Sequence, residues 1–281
     1  MGYKLSTLTD YIIQPEVLLG QENLNRLFID VRLGNKPEEE LKNYRESHIQ
    51  GAVYGQIRDI FAGEPTLHTG NLPLPRLDKL ESELKSWGVD QDTEIILYGP
   101  SMALAARGWW ILRWAGLSNV KVLDGGLRAW INQGGALAQG DFVPTRRATS
   151  ENLKLKTGQL PEIHVGEVMT LLPDVILIDA RDESSYLAGC IPRARNLPSS
   201  EQWTPAMNLR TIDEIRQLYK DVGVRKDSDV VVYCGGGVLS AFSVLTLSAL
   251  GIVPRLFVGS WSEWNKDPKR MAMSASERII F

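Results

Sequence analysis

Short apolar runs alternate along this chain with longer segments that have apolar residues at helical spacing. The runs FIDV, EIILY and VKVLD are rich in β-branched residues and predict buried strands. The intervening segment 77–88 places apolar residues one helical turn apart and ends at Gly88, a helix stop signal. Strands that alternate with helices predict an α/β fold, with a mostly parallel sheet flanked by helices on both faces.

Four sequence motifs occur twice, in the same order. The pairs are LFIDVR with LIDAR, SHIQGA with GCIPRA, EIILYG with DVVVYC, and LDGGLRAW with FVGSWSEW. Four matches in register predict two copies of one domain. We expect a first domain at residues 1–140, a linker at 141–158 and a second domain at 159–281.

Composition agrees with two ordinary globular domains. The chain has 281 residues, 43% of them hydrophobic, and a net charge of −3, which does not favour a nucleic-acid-binding surface. Two cysteines and three histidines without metal-ligand spacing predict a reducing compartment and no metal site. We see no signal peptide and no membrane-spanning run, so we expect a cytoplasmic protein without membrane contact.

The stretch VVVYCGGGVLSAF carries the candidate chemistry. It places Cys234 at the end of a predicted strand, followed by Gly235, Gly236 and Gly237 and then a predicted helix. Parallel sheets bind ligands at the carboxyl ends of their strands. Helix N-termini and inward-turned amides favour an anion, so the loop can hold a thiolate, a persulfide or a covalent adduct on the sulfur. A small buried structural cysteine is the alternative interpretation.

The first repeat has no such thiol. Gly99 stands at the position that matches Cys234, and Pro100 follows it. We therefore expect the first domain to be catalytically inactive and to form one wall of a cleft at the domain interface.

Taken together, the motifs resemble those of the tandem rhodanese-domain sulfurtransferases, which include thiosulfate sulfurtransferase and 3-mercaptopyruvate sulfurtransferase. The motifs are IDVR, SHIQGA, RGWWILRWAG, VLDGGLRAW, LIDAR, YCGGGV and GSWSEWNKDP. The resemblance implies two rhodanese-like domains and no cofactor. It also implies that a cysteine takes a sulfane sulfur from a small donor, becomes a persulfide, and passes the sulfur to a thiol, cyanide or a protein.

The resemblance assigns that cysteine to Cys234. It assigns the persulfide-binding loop to the five residues that follow, Gly235, Gly236, Gly237, Val238 and Leu239. The neutral loop is more similar to the 3-mercaptopyruvate form than to the thiosulfate form, which carries basic side chains there. Gly236 stands where the mercaptopyruvate form has a hydroxyl.

Other positions depart from the family pattern. Leu72 replaces a histidine that faces the active site, with His68 nearby, and Cys190 replaces another histidine. Ser185 stands where the family has the arginine that grips the donor. Candidates to replace that arginine are Arg181, Arg193 and Arg195, although Arg181 could instead be a structural ion-pair partner and the other two surface charges.

Two other functions remain open. One is a sulfur-relay or protein-interaction module with little turnover on small donors, as the missing arginine suggests. The other is a cysteine phosphatase or arsenate reductase, whose loop ends in an arginine that clamps the oxyanion. Ser240 stands at that arginine position, which makes the second alternative weak.

Overall fold

The computed structural model describes residues 8–21, 23–144 and 152–277. Within these described residues, the first domain contains seven strands and five α-helices. The strands are β1 (Ile12–Ile13), β2 (Arg26–Arg32), β3 (His48–Ile49), β4 (Ala52–Gln56), β5 (Glu94–Tyr98), β6 (Val120–Leu123) and β7 (Leu137–Ala138). The helices are α1 (Pro15–Leu18), α2 (Pro37–Glu46), α3 (Leu77–Ser86), α4 (Met102–Trp114) and α5 (Gly126–Asn132). A π-helical turn covers Ile57–Phe61, and a 3₁₀ turn covers Leu8–Asp10.

The described part of the second domain, up to residue 277, has five strands and six α-helices. The strands are β8 (Glu162–Ile163), β9 (Ile176–Asp179), β10 (Arg195–Asn196), β11 (Val230–Tyr233) and β12 (Arg255–Phe257). The helices are α6 (Val165–Val168), α7 (Glu183–Ala188), α8 (Ile212–Asp221), α9 (Leu239–Ala249), α10 (Ser260–Trp264) and α11 (Pro268–Glu277). A 3₁₀ turn at Ser199–Gln202 precedes α8.

The two main sheets have the same topology. The first runs β1-β6-β5-β2-β4 and the second β8-β12-β11-β9-β10, with every pairing parallel. A short antiparallel pair, β3 with β7, lies beside the first sheet. Each strand position of one sheet has a counterpart in the other, so the repeat predicted from four motifs extends to strand order.

The repeat also holds for individual hydrogen bonds. In the first domain Tyr98 accepts a bond from the Ile49 N–H, and in the second Tyr233 accepts one from the Ile191 N–H, both at 3.0 Å. Each tyrosine ends the central strand and faces the aspartate of the Asp-x-Arg motif in the next strand. These bonds attach the loop after α2 or α7 to the carboxyl edge of each sheet.

Helices α4 and α9 pack against each other at the domain interface. Both are apolar on nearly all sides, as expected for helices buried between two layers. One buried apolar cluster spans the interface and includes Leu72 and Trp109 of the first domain and Cys234 and Phe242 of the second. The interface therefore runs directly beside the cysteine loop.

The C-terminal part of the predicted linker, together with the first residue of the predicted second domain, packs on the first domain. Leu153 is buried in the shared cluster, and the N–H groups of Lys156 and Gln159 donate to the carbonyls of Ala115 and Trp114 at 2.9 and 3.1 Å. These bonds satisfy carbonyls at the C-terminus of α4. Residues 145–151 of the linker lie outside the described part of the chain.

Candidate active site

Cys234 lies immediately after β11, at the carboxyl edge of the second sheet. Its backbone N–H donates to Ser260 Oγ at 3.2 Å, and its carbonyl accepts from the Trp261 N–H at 2.9 Å. The Gly235 carbonyl accepts from the Ser262 N–H at the same distance. The start of α10 thus holds the backbone on both sides of the thiol.

Ser260 adopts a left-handed backbone conformation, with φ of 52°. The matching residue of the first domain is Gly126, at φ of 56°, and glycine takes this conformation without steric cost. A serine here costs about 1 kcal/mol in backbone energy, but its hydroxyl accepts from Cys234 and donates to the Phe257 carbonyl at 2.9 Å. The strained backbone at Ser260 therefore places the hydroxyl that binds the Cys234 N–H.

The sulfur of Cys234 has two hydrogen-bond donors. The Gly237 N–H lies 3.1 Å from Sγ, and the Ser240 hydroxyl lies 3.3 Å away. Cys234 is 1% exposed and Ser240 is fully buried. Donors in such a low-dielectric site stabilise an anionic sulfur more than they would in water.

The three glycines play different structural roles. Gly237 has φ of 86°, and a Cβ there would lie 3.0 Å from the Arg107 guanidinium and from the Val258 carbonyl oxygen. A Cβ on Gly236 would make only ordinary contacts, the closest at 3.9 Å, and one on Gly235 would meet open space. Gly237 is thus the glycine that the fold requires, and Gly235 and Gly236 leave room beside the sulfur.

The predicted loop ends as α9 begins. Val238 precedes the first helical residue, Leu239, and both side chains pack against the shared apolar cluster. The Leu239 carbonyl accepts from the Ser199 hydroxyl at 2.8 Å. The predicted helix and its glycine stop are present, because α9 ends at Ala249 and Gly251 has φ of 79°.

The first domain brings a buried arginine to this loop. Arg107 lies on α4, is fully buried, and donates from Nη1 to the Gly237 carbonyl at 3.5 Å. Its Nη2 donates to the carbonyls of Leu72 and Phe61 at 2.9 and 3.3 Å. Sequence reasoning missed this residue, although a charge in the middle of the apolar run MALAARGWWILRW, which has a second arginine only near its end, was a visible signal.

Gly99, the counterpart of Cys234, has no room for a side chain. A Cβ at this position would lie 2.2 Å from the Val31 carbonyl oxygen. A cysteine could not replace Gly99 without movement of the neighbouring strand β2. This crowding is consistent with the prediction that the first domain is inactive.

Arg181 lies in a buried ion pair with Asp179. Its Nε donates to the carboxylate at 2.9 Å, and its Nη2 donates to that carboxylate and to the Gly189 carbonyl, both at 2.5 Å. The guanidinium also lies over the Trp261 ring, 4.7 Å from the centroid. These contacts hold Arg181 on the carboxyl edge of the second sheet, with its fork turned to its own domain.

The other two candidate arginines contact surface carbonyls. Arg193 donates to Leu171 and Leu172 at 3.2 and 2.9 Å, and Arg195 donates to Val222 at 2.6 Å. These bonds direct both guanidinium groups toward elements other than the Cys234 loop. A donor-binding role for either stays a prediction.

The remaining family departures differ in their burial and contacts. Ser185 donates from its N–H and hydroxyl to Asp182, both at 2.8 Å, and Asp182 thereby caps the N-terminus of α7. His68 is exposed, and Leu72 is buried against Gly236. Cys190 is half-buried, and neither it nor Cys234 forms a disulfide.

Within the described ranges, no group of three or more His, Cys, Asp or Glu side chains is placed to hold a metal ion. None of the helices described is long and apolar enough to cross a bilayer.

The Rhodanese-like domain family matches residues 14–133 and 165–267. The chain belongs to the rhodanese family. Its two matched regions contain the two sheets except for their edge strands β1 and β8, and the second contains the Cys234 loop.

Proteins similar in sequence align with most of the chain. A Pseudomonas aeruginosa protein named a probable 3-mercaptopyruvate sulfurtransferase is 34% identical over 276 residues, which cover 87% of this chain and 90% of that protein. A Mycobacterium tuberculosis protein provisionally named a thiosulfate sulfurtransferase is 32% identical over 243 residues, covering 81% and 83%. The crystal structure of SseA from Escherichia coli, described as a 3-mercaptopyruvate sulfotransferase, matches with a TM-score of 0.74 and 28% identity, covering 91% and 100%.

The predicted family, the predicted fold of two rhodanese-like domains and the predicted sulfurtransferase activity are confirmed. The borders at residues 140 and 159, the linker and the assignment of site residues stay predictions.

Proposed function

We propose that this protein moves a sulfane sulfur from a small anionic donor through a persulfide on Cys234 to a thiophilic acceptor. The observation that carries the proposal is the pair of buried donors on the sulfur, Gly237 N–H and Ser240 Oγ. A small structural cysteine needs no such donors, whereas a thiolate or persulfide does.

The proposed reaction has two balanced steps. The Cys234 thiolate attacks the sulfane sulfur and forms an S–S bond. With thiosulfate, the donor S–S bond breaks and sulfite leaves with its electron pair. With 3-mercaptopyruvate, the C–S bond breaks, the carbon takes the thiol proton, and pyruvate leaves. The persulfide anion that remains then gives its outer sulfur to cyanide or a thiolate, which restores the Cys234 thiolate.

The donor site that we propose favours 3-mercaptopyruvate over thiosulfate. The loop 235–239 carries no basic side chain that could meet a dianion. Gly235 and Gly236 are partly exposed and leave open space beside the sulfur, which suits the close approach of a small monoanion. Donors of both kinds are named among the relatives, so the preference needs a direct measurement.

The acceptor side of the proposal includes small thiols, cyanide and protein thiols. Neither cysteine forms a disulfide, and a persulfide carrier requires that Cys234 is not in one. A cytoplasmic, reducing location would keep them reduced.

The test is sulfur loading followed by intact mass. The protein is incubated with 3-mercaptopyruvate or thiosulfate alone, beside Cys234→Ser and Cys190→Ser variants. We expect one added sulfur on the wild type and on Cys190→Ser, none on Cys234→Ser, and faster loading from 3-mercaptopyruvate.

Loading on Cys190 in place of Cys234 would contradict the assignment. If neither donor loads Cys234 while a cysteine desulfurase does, the protein is a sulfur relay, and the small-donor reaction is wrong.

A further inference from the structure

A buried guanidinium without a carboxylate partner is an unusual feature of the domain interface. Arg107 is fully buried on α4, and no Asp or Glu oxygen lies within 4.0 Å of it among the described residues. Its Nη1 and Nη2 meet three backbone carbonyls, and its Nε has no partner. Burying an unpaired charge costs several kcal/mol in general, so such a group persists where an anion offsets it.

The anion nearest to this role is the sulfur of Cys234. Arg107 donates to the carbonyl of Gly237, the residue whose N–H bonds to Sγ. Burial lowers the pKa of Arg107 to about 10, whereas the electrostatic interaction with Cys234 acts to raise that pKa. At neutral pH the guanidinium is therefore charged and attracts negative charge on the sulfur.

The close approach is built into the loop. A Cβ on Gly237 would lie 3.0 Å from Arg107 Nη1, which only glycine at this φ avoids without adjustment. On the other side, the carbonyls of Phe61 and Leu72 hold the guanidinium from within the first domain. Arg107 is thus fixed from both domains.

Other charges around the cysteine loop are already engaged. Arg181 is paired with Asp179, and Lys266 donates to the carbonyls of Thr66 and Thr69 at 2.8 and 2.7 Å. Glu263 lies on the segment after the loop, and desolvation raises its pKa, which favours its neutral form. Among the residues that the structure describes, Arg107 is the cation whose guanidinium hydrogen-bonds to the loop itself.

We infer that Arg107, supplied by the domain that has no cysteine of its own, is the positioning residue that provides the positive charge for the anionic sulfur of Cys234. This rests on the proposed role of Cys234 and deepens it, since the first domain then contributes to the reaction electrostatically as well as sterically. The guanidinium fixes Gly237, whose N–H holds Sγ, and its charge favours the thiolate before loading and the persulfide anion after it.

The test compares Arg107→Met, which removes the charge, with Arg107→Lys, which keeps it. Arg113→Met is the matched control, because Arg113 lies on the same helix and donates to the Ser118 carbonyl, away from Cys234. The readout is the rate of Cys234 alkylation by iodoacetamide at neutral pH, followed by intact mass in folded protein. Alkylation needs no sulfur donor, so it reports on Arg107 even if neither small donor loads.

We expect Arg107→Met to slow alkylation about three- to tenfold. A nearby cation typically favours a thiolate by tenfold to a hundredfold, and about half of that effect, on a logarithmic scale, is offset because a less stabilised thiolate is more nucleophilic. Arg107→Lys should recover most of the rate, and Arg113→Met should match the wild type. Equal rates in folded Arg107→Met and wild type would overturn the inference, as would equal slowing in Arg107→Met and Arg107→Lys.

A measurement on the unmutated protein covers the case in which Arg107→Met does not fold. Cys234 is converted either to the anionic persulfide with a donor or a polysulfide, or to the neutral methyl disulfide with methyl methanethiosulfonate. We expect the persulfide form to have the higher melting temperature, because only its charge is offset by Arg107. An equal or lower melting temperature of the persulfide form would contradict the inference.

Discussion

The Ser240 hydroxyl donates a hydrogen bond to the sulfur of Cys234, and its removal gives a sharp prediction. Ser240→Ala deletes the 3.3 Å bond to Cys234 Sγ and leaves the 3.1 Å bond from the Gly237 N–H. The site is fully buried, so water does not readily replace the lost donor. The change removes one oxygen atom from the start of α9 and keeps a good helix former there.

The magnitude follows from the chemistry of the bond. Hydrogen bonds to charged groups contribute about 1.5–3 kcal/mol, and a bond of this length to sulfur belongs at about 1.5 kcal/mol. The thiolate population at neutral pH should fall about tenfold. A thiolate with fewer donors is also more nucleophilic, with a Brønsted coefficient of about 0.4–0.5. The net alkylation rate should therefore fall about threefold at neutral pH and rise about threefold at high pH, where both proteins are ionised.

The assay is iodoacetamide alkylation of Cys234 across pH, read by intact mass in a Cys190→Ser background. Ser243→Ala is the control, since Ser243 lies one turn further on α9 and bonds to Ser199 and Gln202 instead of the sulfur. The wild-type and Ser240→Ala profiles should cross, whereas the Ser243→Ala profile should follow the wild type. Superimposable profiles for Ser240→Ala and wild type would refute the assignment of this hydroxyl to the sulfur.

Three further predictions concern the loop and its supports. Gly237→Ala should lower the free energy of unfolding by at least about 1 kcal/mol, because alanine is strained in the left-handed conformation. Gly236→Ala should be neutral or stabilising by up to about 1 kcal/mol. Urea denaturation compares the two variants, and equal losses of stability would contradict the structure. Ser260→Gly should relieve the backbone strain at φ of 52° and change the free energy of unfolding by less than about 1 kcal/mol. It should nevertheless slow sulfur loading, because the Cys234 N–H loses its acceptor. An unchanged loading rate would show that this bond is unimportant. Hydrogen bonds from Ser184 and Ser185 lower the pKa of Asp182 to about 2, below its value of about 4 in the unfolded chain. The stabilisation by this carboxylate is therefore complete above pH ~4 and is lost as pH falls through about 2. The difference in denaturation midpoint between wild type and Asp182→Ala should shrink over that window, and a constant difference would refute the sign.

Much of the fold was predictable because its signals are local. Strand runs, the 77–88 helix and the glycine after α9 depend on residues close together in the chain, and the doubled motifs revealed the repeat. The place of Cys234 also followed from a local pattern, since a strand, a thiol and glycines are consecutive. The resemblance to the family implied the reaction, but it did not allow a donor-binding arginine to be assigned.

The sequence by itself determined the doubled α/β architecture, the single loop thiol and the absence of a thiol at Gly99. Only the tertiary structure decided which groups surround that thiol. Arg107 is more than a hundred residues from Gly237 in the chain, and it reaches the loop because α4 packs on α9. Ser260 accepts from Cys234 because β11 and β12 are neighbours in the sheet. Contacts of this kind depend on how elements distant in the chain pack together, within a domain or between domains, and no local pattern encodes them.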